Sequence, residues 1–250
     1  MEFSEQVLIL QTGKFREADI WVRVLSPTRG VFTAFAFGGS KSRQRFIGCL
    51  DIFNRVLFRV SNAGRAGYLT LQEGVLMAGV SRLRTDWTRL GLANNCAKFL
   101  LAFGVEADGA GAAFSLFSGF LEHLERADQV SPVLPLFFRL GLAASQGYLP
   151  DFSACRNCGS PLAPEAFFLV REGVLLCPSC MRAQPGQAVR LSAESLRVLG
   201  LVSGNEGYEW LGNEPGSLSG QVRQECSRAI DGFIEYHVGL LWRNGRFSHV

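Results

Sequence analysis

The sequence predicts a multidomain α+β protein, in which a small β-barrel or sandwich is followed by an α-helical domain carrying a four-cysteine module. Three observations predict this. Short apolar runs alternate with turn signals up to about residue 80, helical apolar spacing follows, and two CxxC pairs interrupt the helical part. We therefore place one domain at 1–80 and a second at 81–250, with the inserted module at about 151–185. The length of 250 residues and the apolar content of 48% exclude general disorder.

The first domain is predicted from β-branched and aromatic runs that are separated by turn signals. The four runs are residues 7–10, 20–25, 31–37 and 56–60. The turn signals are Thr12-Gly13 and residues 26–30, 38–40 and 61–64. In the third run, Phe35 and Phe37 alternate with alanine, as is typical of a half-buried strand. Four or five strands in about 75 residues fit a barrel or sandwich, and the OB (oligonucleotide-binding) barrel is one candidate.

The second domain is predicted from apolar stripes with helical spacing. One stripe is formed by Phe114, Phe117, Leu121 and Leu124, and another by Val222, Cys226, Ile230, Phe233, His237 and Leu240. The second of these helices is predicted to begin at Ser217 or Ser219, since serine is a favoured N-cap. Residues 92–103 and 133–147, which are rich in alanine and leucine, predict two more helices. These stripes indicate core packing.

Four of the seven cysteines predict a zinc site. Cys155 and Cys158 form one CxxC pair, Cys177 and Cys180 form the second, and 18 residues separate the pairs. Two such turns provide the four thiolates of a closed tetrahedral shell, so we expect one structural zinc per chain. Phe167 to Val170 and Val174 to Leu176 predict a hairpin between the turns. A redox pair or a metal-free state is the alternative, and Cys49, Cys96 and Cys226 are predicted to be buried apolar residues.

Positive charge is concentrated in the first domain. Residues 1–80 carry ten basic and six acidic residues, and no acidic residue occurs between Ile20 and Leu50. The predicted phosphate contacts in that window are Arg23, Arg29, Lys41, Arg43 and Arg45, interleaved with Trp21, Phe32, Phe35, Phe37 and Phe46. Basic residues among aromatic ones are typical of a groove for single-stranded nucleic acid. The alternative is a solvated basic loop beside ordinary core aromatics.

The sequence offers no catalytic signature. Gly38-Gly39-Ser40-Lys41-Ser42 lacks the glycine that a phosphate loop needs directly before lysine. His123 and His237 lie in helical stretches, His249 lies near the carboxyl end, and Glu122 and Glu125 indicate a solvated helix face. We expect no enzymatic activity and no small-molecule substrate.

Membrane association is not expected either. The longest stretch without charged residues has 13 residues, whereas a span needs roughly 18. The acidic amino terminus lacks the basic region of a signal peptide, so we expect a cytoplasmic protein.

Several segments, in their order along nearly the whole chain, resemble the RecO family of bacterial recombination mediators. In the first domain they are Val7-Leu-Ile-Leu-Gln-Thr-Gly-Lys-Phe-Arg-Glu17, Leu25-Ser-Pro-Thr-Arg-Gly30, Phe37-Gly-Gly-Ser-Lys-Ser-Arg43 and Gly48-Cys-Leu-Asp-Ile-Phe53. Later, Leu140-Gly-Leu and Gly147-Tyr-Leu-Pro150 lead into Cys155 and Cys158. Tyr236-His-Val-Gly239 with Arg246-Phe247 is similar to the last helix of the family.

The resemblance implies an OB-fold domain, a helical domain with the zinc module and a non-enzymatic function. RecO proteins bind single- and double-stranded DNA and anneal complementary strands. Together with RecR, they help RecA to replace single-strand-binding protein (SSB), whose carboxyl tail they contact. A nucleoid-associated protein is thus expected. Two other classes stay open, namely a zinc-containing OB-fold factor that binds RNA and a scaffold whose apolar helical face holds protein partners.

Overall fold

A computed structural model of the chain describes residues 2–62, 68–161, 164–183, 188–204, 210–211 and 218–250. It divides into two units. The first comprises Met1–Gly91 and Gly104–Arg126, and the second comprises Leu92–Phe103 and Ala127–Val250. The predicted domain boundary at residue 80 stays a prediction. The first unit extends past that residue and also includes a later segment, Gly104–Arg126.

The first unit contains a closed five-stranded barrel. Its strands are β1 (Glu2–Lys14), β2 (Ile20–Ser26), β3 (Gly30–Ala36), β4 (Arg55–Ser61) and β5 (Leu69–Ala78). β1 pairs antiparallel with β2 and β4, while β3 pairs antiparallel with β2 and in parallel with β5. The pairing of β4 with β5 closes the ring in the order β1-β2-β3-β5-β4, which confirms the predicted OB fold.

Alternate side chains of the strands fill the barrel. Its core includes Val7, Ile9, Val22, Val24, Ala34, Ala36, Val56, Phe58 and Val60. Ala34 and Ala36 are fully buried, so the intervening Phe35 lies on the outer side of β3. The predicted half-buried strand is thereby confirmed, with its small residues inside and its rings outside.

The turn predicted at Thr12-Gly13 is wrong, because β1 continues through both residues to Lys14 and the chain turns after it. β5 was missed by the strand prediction, because Leu71 is its only fully buried residue and it shows little apolar alternation. The turn predicted at 61–64 lies partly outside the described residues, and Ser61 itself ends β4.

Three helices follow the barrel: α1 (Ser81–Thr85), α2 (Trp87–Phe103) and α3 (Ala110–Arg126). The predicted stripe on α3 is confirmed, since all four of its residues are buried.

Glu125 is not simply a solvated residue as predicted. Its carboxylate accepts backbone N–H bonds from Arg82 and Leu83, so it caps the first turn of α1.

In the residues that the structure describes, the second unit contains four more α-helices and two small sheets. The elements are α4 (Leu134–Ser145), β6 (Glu165–Leu169), β7 (Val174–Leu176), α5 (Pro178–Ala183), β8 (Val189–Ser192), α6 (Ala193–Gly204), α7 (Gly220–His237), β9 (Leu240–Arg243) and β10 (Arg246–His249). β6 and β7 form the predicted hairpin, which β8 extends to three strands. α4, α6 and α7 pack on one another. None of the described helices combines the length and apolar character that a membrane span requires.

The carboxyl end differs from the prediction. The last helix begins after the predicted N-cap Ser219, whose side chain accepts the Val222 N–H, while Ser217 lies outside the described residues. It ends at His237, so Leu240 and the Arg246-Phe247 pair are not helical but belong to the β9–β10 hairpin. Asn244 and Gly245 both have positive φ there, and Asn-Gly is a strong hairpin signal that the helical spacing hid.

Candidate metal centre and nucleic-acid interface

The two CxxC pairs meet in the second unit. The sulfur atoms of Cys155, Cys158, Cys177 and Cys180 all lie within 4.8 Å of one another, and Cys158 Sγ is 3.8 Å from Cys177 Sγ. A tetrahedral zinc with Zn–S bonds of about 2.3 Å requires sulfurs about 3.8 Å apart. The four predicted ligands therefore lie close enough together to hold one metal ion.

Local backbone structure holds each pair as a tight turn. The Gly159 N–H donates to the Cys155 carbonyl at 2.8 Å, and the Met181 N–H donates to the Cys177 carbonyl at 2.9 Å. Gly159 has φ +68°, a conformation that residues with a Cβ seldom adopt. The Arg156 N–H donates to the Leu175 carbonyl at 2.9 Å, which ties the first turn to β7. β7 and the following helix α5 thus hold the two turns in place.

The pKa values of two cysteines in the cluster are shifted in opposite directions. Burial raises the pKa of Cys155, but the N–H groups of Cys177, Cys158 and Asn157 outweigh it and lower that pKa to about 6. The neighbouring thiols of Cys177 and Cys158 raise the pKa of Cys180 to about 12. Four thiolates this close repel one another unless a cation neutralises them. The donor set therefore suits a soft divalent metal ion.

The other three cysteines are buried, as predicted. Cys49, Cys96 and Cys226 are each at most 1% exposed. Burial raises the pKa of all three thiols, and that of Cys226 to about 11. They are packing residues that belong to no group of metal ligands among the described residues.

The basic loop, which we define as residues 38–45, is the first part of the connection from β3 to β4 and lies at one end of the barrel. Ile20, the first residue of β2, pairs with Ala36, the last residue of β3, so the β1–β2 loop lies at the same end. Contacts between the loops confirm this. The Gly38 N–H donates to Asp19 Oδ1 at 2.8 Å, and the Ser40 N–H donates to the Ala18 carbonyl at 3.1 Å.

Three of the five predicted contacts, Lys41, Arg43 and Arg45, are exposed on this loop. Lys41 Nζ lies 3.0 Å from Glu17 Oε1, and both side chains are open to solvent. The Arg45 guanidinium donates to the Phe37 carbonyl at 2.7 Å. Arg43 is exposed and forms no ion pair with any described residue. Exposed ion pairs contribute little, so Lys41 can exchange Glu17 for another anion at small cost.

The two remaining predicted contacts occupy different places on the barrel. Arg23 lies between Val22 and Val24, which are buried in the core, so it lies on the outer face of β2. Arg29 lies in the β2–β3 turn at the opposite end. β2 has seven residues, which places that turn roughly 20 Å from the basic loop at about 3.4 Å per residue. Arg29 is 4.0 Å from Glu5 and stacks on Phe3.

The aromatic residues of the acid-free window divide into two groups. Phe46 is buried in the barrel core and Phe32 packs against it. Trp21 and Phe35 are cross-strand partners on the outer face, and Phe37 follows them at the loop end. Further rings from outside the window lie beside them. Phe15 from the β1–β2 loop and Tyr68 before β5 have ring centroids 5.2 Å and 5.1 Å from that of Phe35.

Comparison with known proteins assigns nearly the whole chain to one family. The family model for the N-terminal domain of Recombination protein O matches residues 1–79, and the model for its C-terminal domain matches residues 84–246. The chain belongs to the RecO family. It is 49% identical to the DNA repair proteins RecO of Nitratidesulfovibrio vulgaris and Oleidesulfovibrio alaskensis, with all of each chain covered. It is 44% identical to that of Solidesulfovibrio magneticus over 99% of both chains.

Sequence reasoning missed two ring positions in this RecO-family chain. Phe15 precedes the acid-free window and Tyr68 follows it, so neither was associated with the basic loop. The OB strand order supplies the missing signal, because it brings the β1–β2 loop and the start of β5 beside the end of β3.

Proposed function

We propose that the chain is a DNA-binding recombination mediator that binds single- and double-stranded DNA and anneals complementary strands. Membership of the RecO family supports a role in recombinational repair. The observation that carries DNA binding is the exposed basic loop at one end of an OB barrel, next to outward-facing aromatic rings. It acts in the cytoplasm, associated with the nucleoid, and catalyses no reaction of its own.

The loop suits phosphate. Lys41, Arg43 and Arg45 are exposed cations within one short segment, and guanidinium groups bind phosphate oxygens in pairs. Arg23 adds a fourth charge on the outer face of β2. These contacts hold the sugar-phosphate backbone and carry no base information, so sequence preference is expected to be weak. Arg29, at the far turn, extends the footprint only if the strand runs along the length of the barrel.

We further propose that the four-cysteine cluster holds one structural zinc ion, with Cys155, Cys158, Cys177 and Cys180 as ligands. The spacing of the sulfurs and their need for a neutralising cation support this. When bound, the ion supplies a cross-link between the two turns. Four thiolates leave no open position for water, so the site is structural.

The partners proposed from the family are RecR and the carboxyl tail of SSB. With RecR, the chain helps to load RecA onto single strands coated with SSB. The test is to follow RecA filament formation on SSB-coated DNA with the chain, with RecR and with both. Filament formation should be faster only when both are present, and the same rate without this chain would contradict the proposal.

A direct test of nucleic-acid binding uses three ligands of equal length. Labelled single-stranded DNA, duplex DNA and RNA are titrated with the wild type and with the variant Lys41→Ala, Arg43→Ala, Arg45→Ala. Both DNA forms should bind the wild type, and complementary strands should anneal faster in its presence. Arg223→Ala, which removes an exposed charge from α7, is the matched control and should bind as the wild type does. Tighter binding of RNA than of DNA would favour an RNA-binding factor instead.

A further inference from the structure

The outer side of the barrel carries a group of aromatic rings that are open to solvent. We name Phe15, Phe35, Phe37 and Tyr68 the ring cluster. Phe15 is 49% exposed, Phe37 40% and Tyr68 53%, whereas large apolar side chains are usually buried. The core beneath them is filled by Ala34 and Ala36, so the rings are not needed to fill it. An exposed apolar group of this kind indicates a binding site.

The rings form one connected surface. Phe35 lies at the centre, with its ring centroid 5.2 Å from that of Phe15, 5.1 Å from that of Tyr68 and 6.2 Å from that of Phe37. The planes of Phe35 and Phe37 differ by only 17°. Three separate parts of the chain supply these rings, namely the β1–β2 loop, the end of β3 and the start of β5. The closed barrel therefore fixes their mutual positions.

Positive charge surrounds this surface. The Arg16 guanidinium carbon lies 5.3 Å from the Phe15 ring centroid, and the Arg45 guanidinium donates to the Phe37 carbonyl. Arg23 lies on the same outer side of β2 as Trp21, the cross-strand partner of Phe35. Of the acidic residues nearby, Glu17 pairs with Lys41 and Asp19 accepts the Gly38 N–H. The occupant must thus combine flat apolar faces with negative charge.

We propose that the ring cluster is a stacking platform for the unpaired bases of single-stranded DNA. This proposal rests on the proposed DNA binding. It adds the surface by which the chain distinguishes single strands from duplex DNA. Phosphates contact the basic loop while bases lie against the rings, because every base has a π-face that stacks without regard to sequence. In a duplex the bases already stack on one another, so only the loop contacts remain available.

The test compares a DNA strand that carries bases with one that lacks them. Phe37→Ala and Tyr68→Ala, singly and together, are titrated with a single-stranded oligonucleotide, the same strand with abasic sites throughout, and a duplex. Each variant should bind the normal strand roughly tenfold more weakly. The abasic strand and the duplex should bind the variants and the wild type equally. Phe37→Tyr and Tyr68→Phe keep the rings and should retain wild-type affinity.

Two comparisons separate this inference from the proposed function. Trp87→Ala removes an exposed ring from the start of α2 and should leave single-strand affinity unchanged. Suppose that the double variant Phe37→Ala, Tyr68→Ala binds single strands as the wild type does, while the triple variant of the basic loop loses affinity. This result would overturn the stacking platform and keep DNA binding. Equal weakening on the abasic strand and the normal strand would also overturn it. Thermal unfolding of every variant should stay close to that of the wild type, because Phe37 and Tyr68 are about half exposed and neither belongs to the barrel core.

Discussion

Gly13 illustrates how one missing side chain shapes the outer face of the barrel. A Cβ at this position would lie 2.5 Å from Cε2 and Cζ2 of Trp21, its cross-strand partner on β2. Glycine inside a strand normally weakens it, and here it admits the indole ring. The residue that looks like a turn signal is therefore a packing position within β1.

We predict that Gly13→Ala destabilises the chain. The added methyl forces the Trp21 ring to shift, which should lower the free energy of unfolding by roughly 1–3 kcal/mol. Urea unfolding measures this. Gly91→Ala on α2 is the matched control, since nothing lies within 4 Å of a Cβ there and alanine favours a helix. A Gly13→Ala variant as stable as the wild type would refute the packing role.

Among the elements, the junction of β8, α6 and α7 depends on one carboxylate. Glu225 on α7 accepts the Ser192 N–H at 2.8 Å, the Ser192 hydroxyl at 2.8 Å and the Ser195 hydroxyl at 2.7 Å. Burial raises the pKa of Glu225, but these bonds and one from Gln221 outweigh it and lower that pKa from 4.5 to about 2. The ionised carboxylate thus joins three elements.

This lowered pKa predicts a pH-dependent stability. The unfolded chain binds the proton more tightly, so the contribution of Glu225 is complete above pH 4.5 and is lost as the pH falls towards about 2. Glu225→Gln should cost roughly 2 kcal/mol at neutral pH, and this difference should shrink in acid. Glu235→Gln, exposed on the same helix, is the control. A difference that does not change with pH would contradict this prediction.

The zinc module makes a second prediction at this scale. Cys177→Ser removes one ligand, so metal content should fall well below one zinc per chain. Because binding of a structural ion contributes to folding, hydrogen exchange should rise in the described parts of residues 151–185 more than in the barrel. Cys226→Ala removes a buried cysteine outside the cluster and should keep the zinc. Wild-type protein that contains no metal when purified without chelators would contradict the assignment.

Features whose sequence signal lies within a short segment were easier to predict than features that depend on distant segments. The CxxC spacing, the α3 stripe and the Ser219 cap depend on neighbours in sequence, and the structure confirms those elements. The ring cluster depends on three distant segments that only strand pairing brings together, so no short pattern showed it. β5 was hidden for another reason, since its outer side exposes Val75 and Met77 and so blurs the alternation.

For the whole molecule, the uneven charge is the feature that connects the fold with the proposed function. The net charge is only +3, yet the excess lies in the first 80 residues, and the barrel presents its basic loop and its rings on neighbouring surfaces. DNA affinity that depends on four cations there must fall as salt rises, because each neutralised phosphate releases counterions.

The salt dependence of single-strand binding tests this most directly. A log–log plot of affinity against salt concentration should have a slope near −3 for the wild type, for about four phosphates at roughly −0.7 each. Replacing Lys41, Arg43 and Arg45 by alanine should flatten it by roughly 2 units and weaken all sequences alike. The same slope in the triple variant as in the wild type would mean that DNA binds elsewhere and would contradict the account.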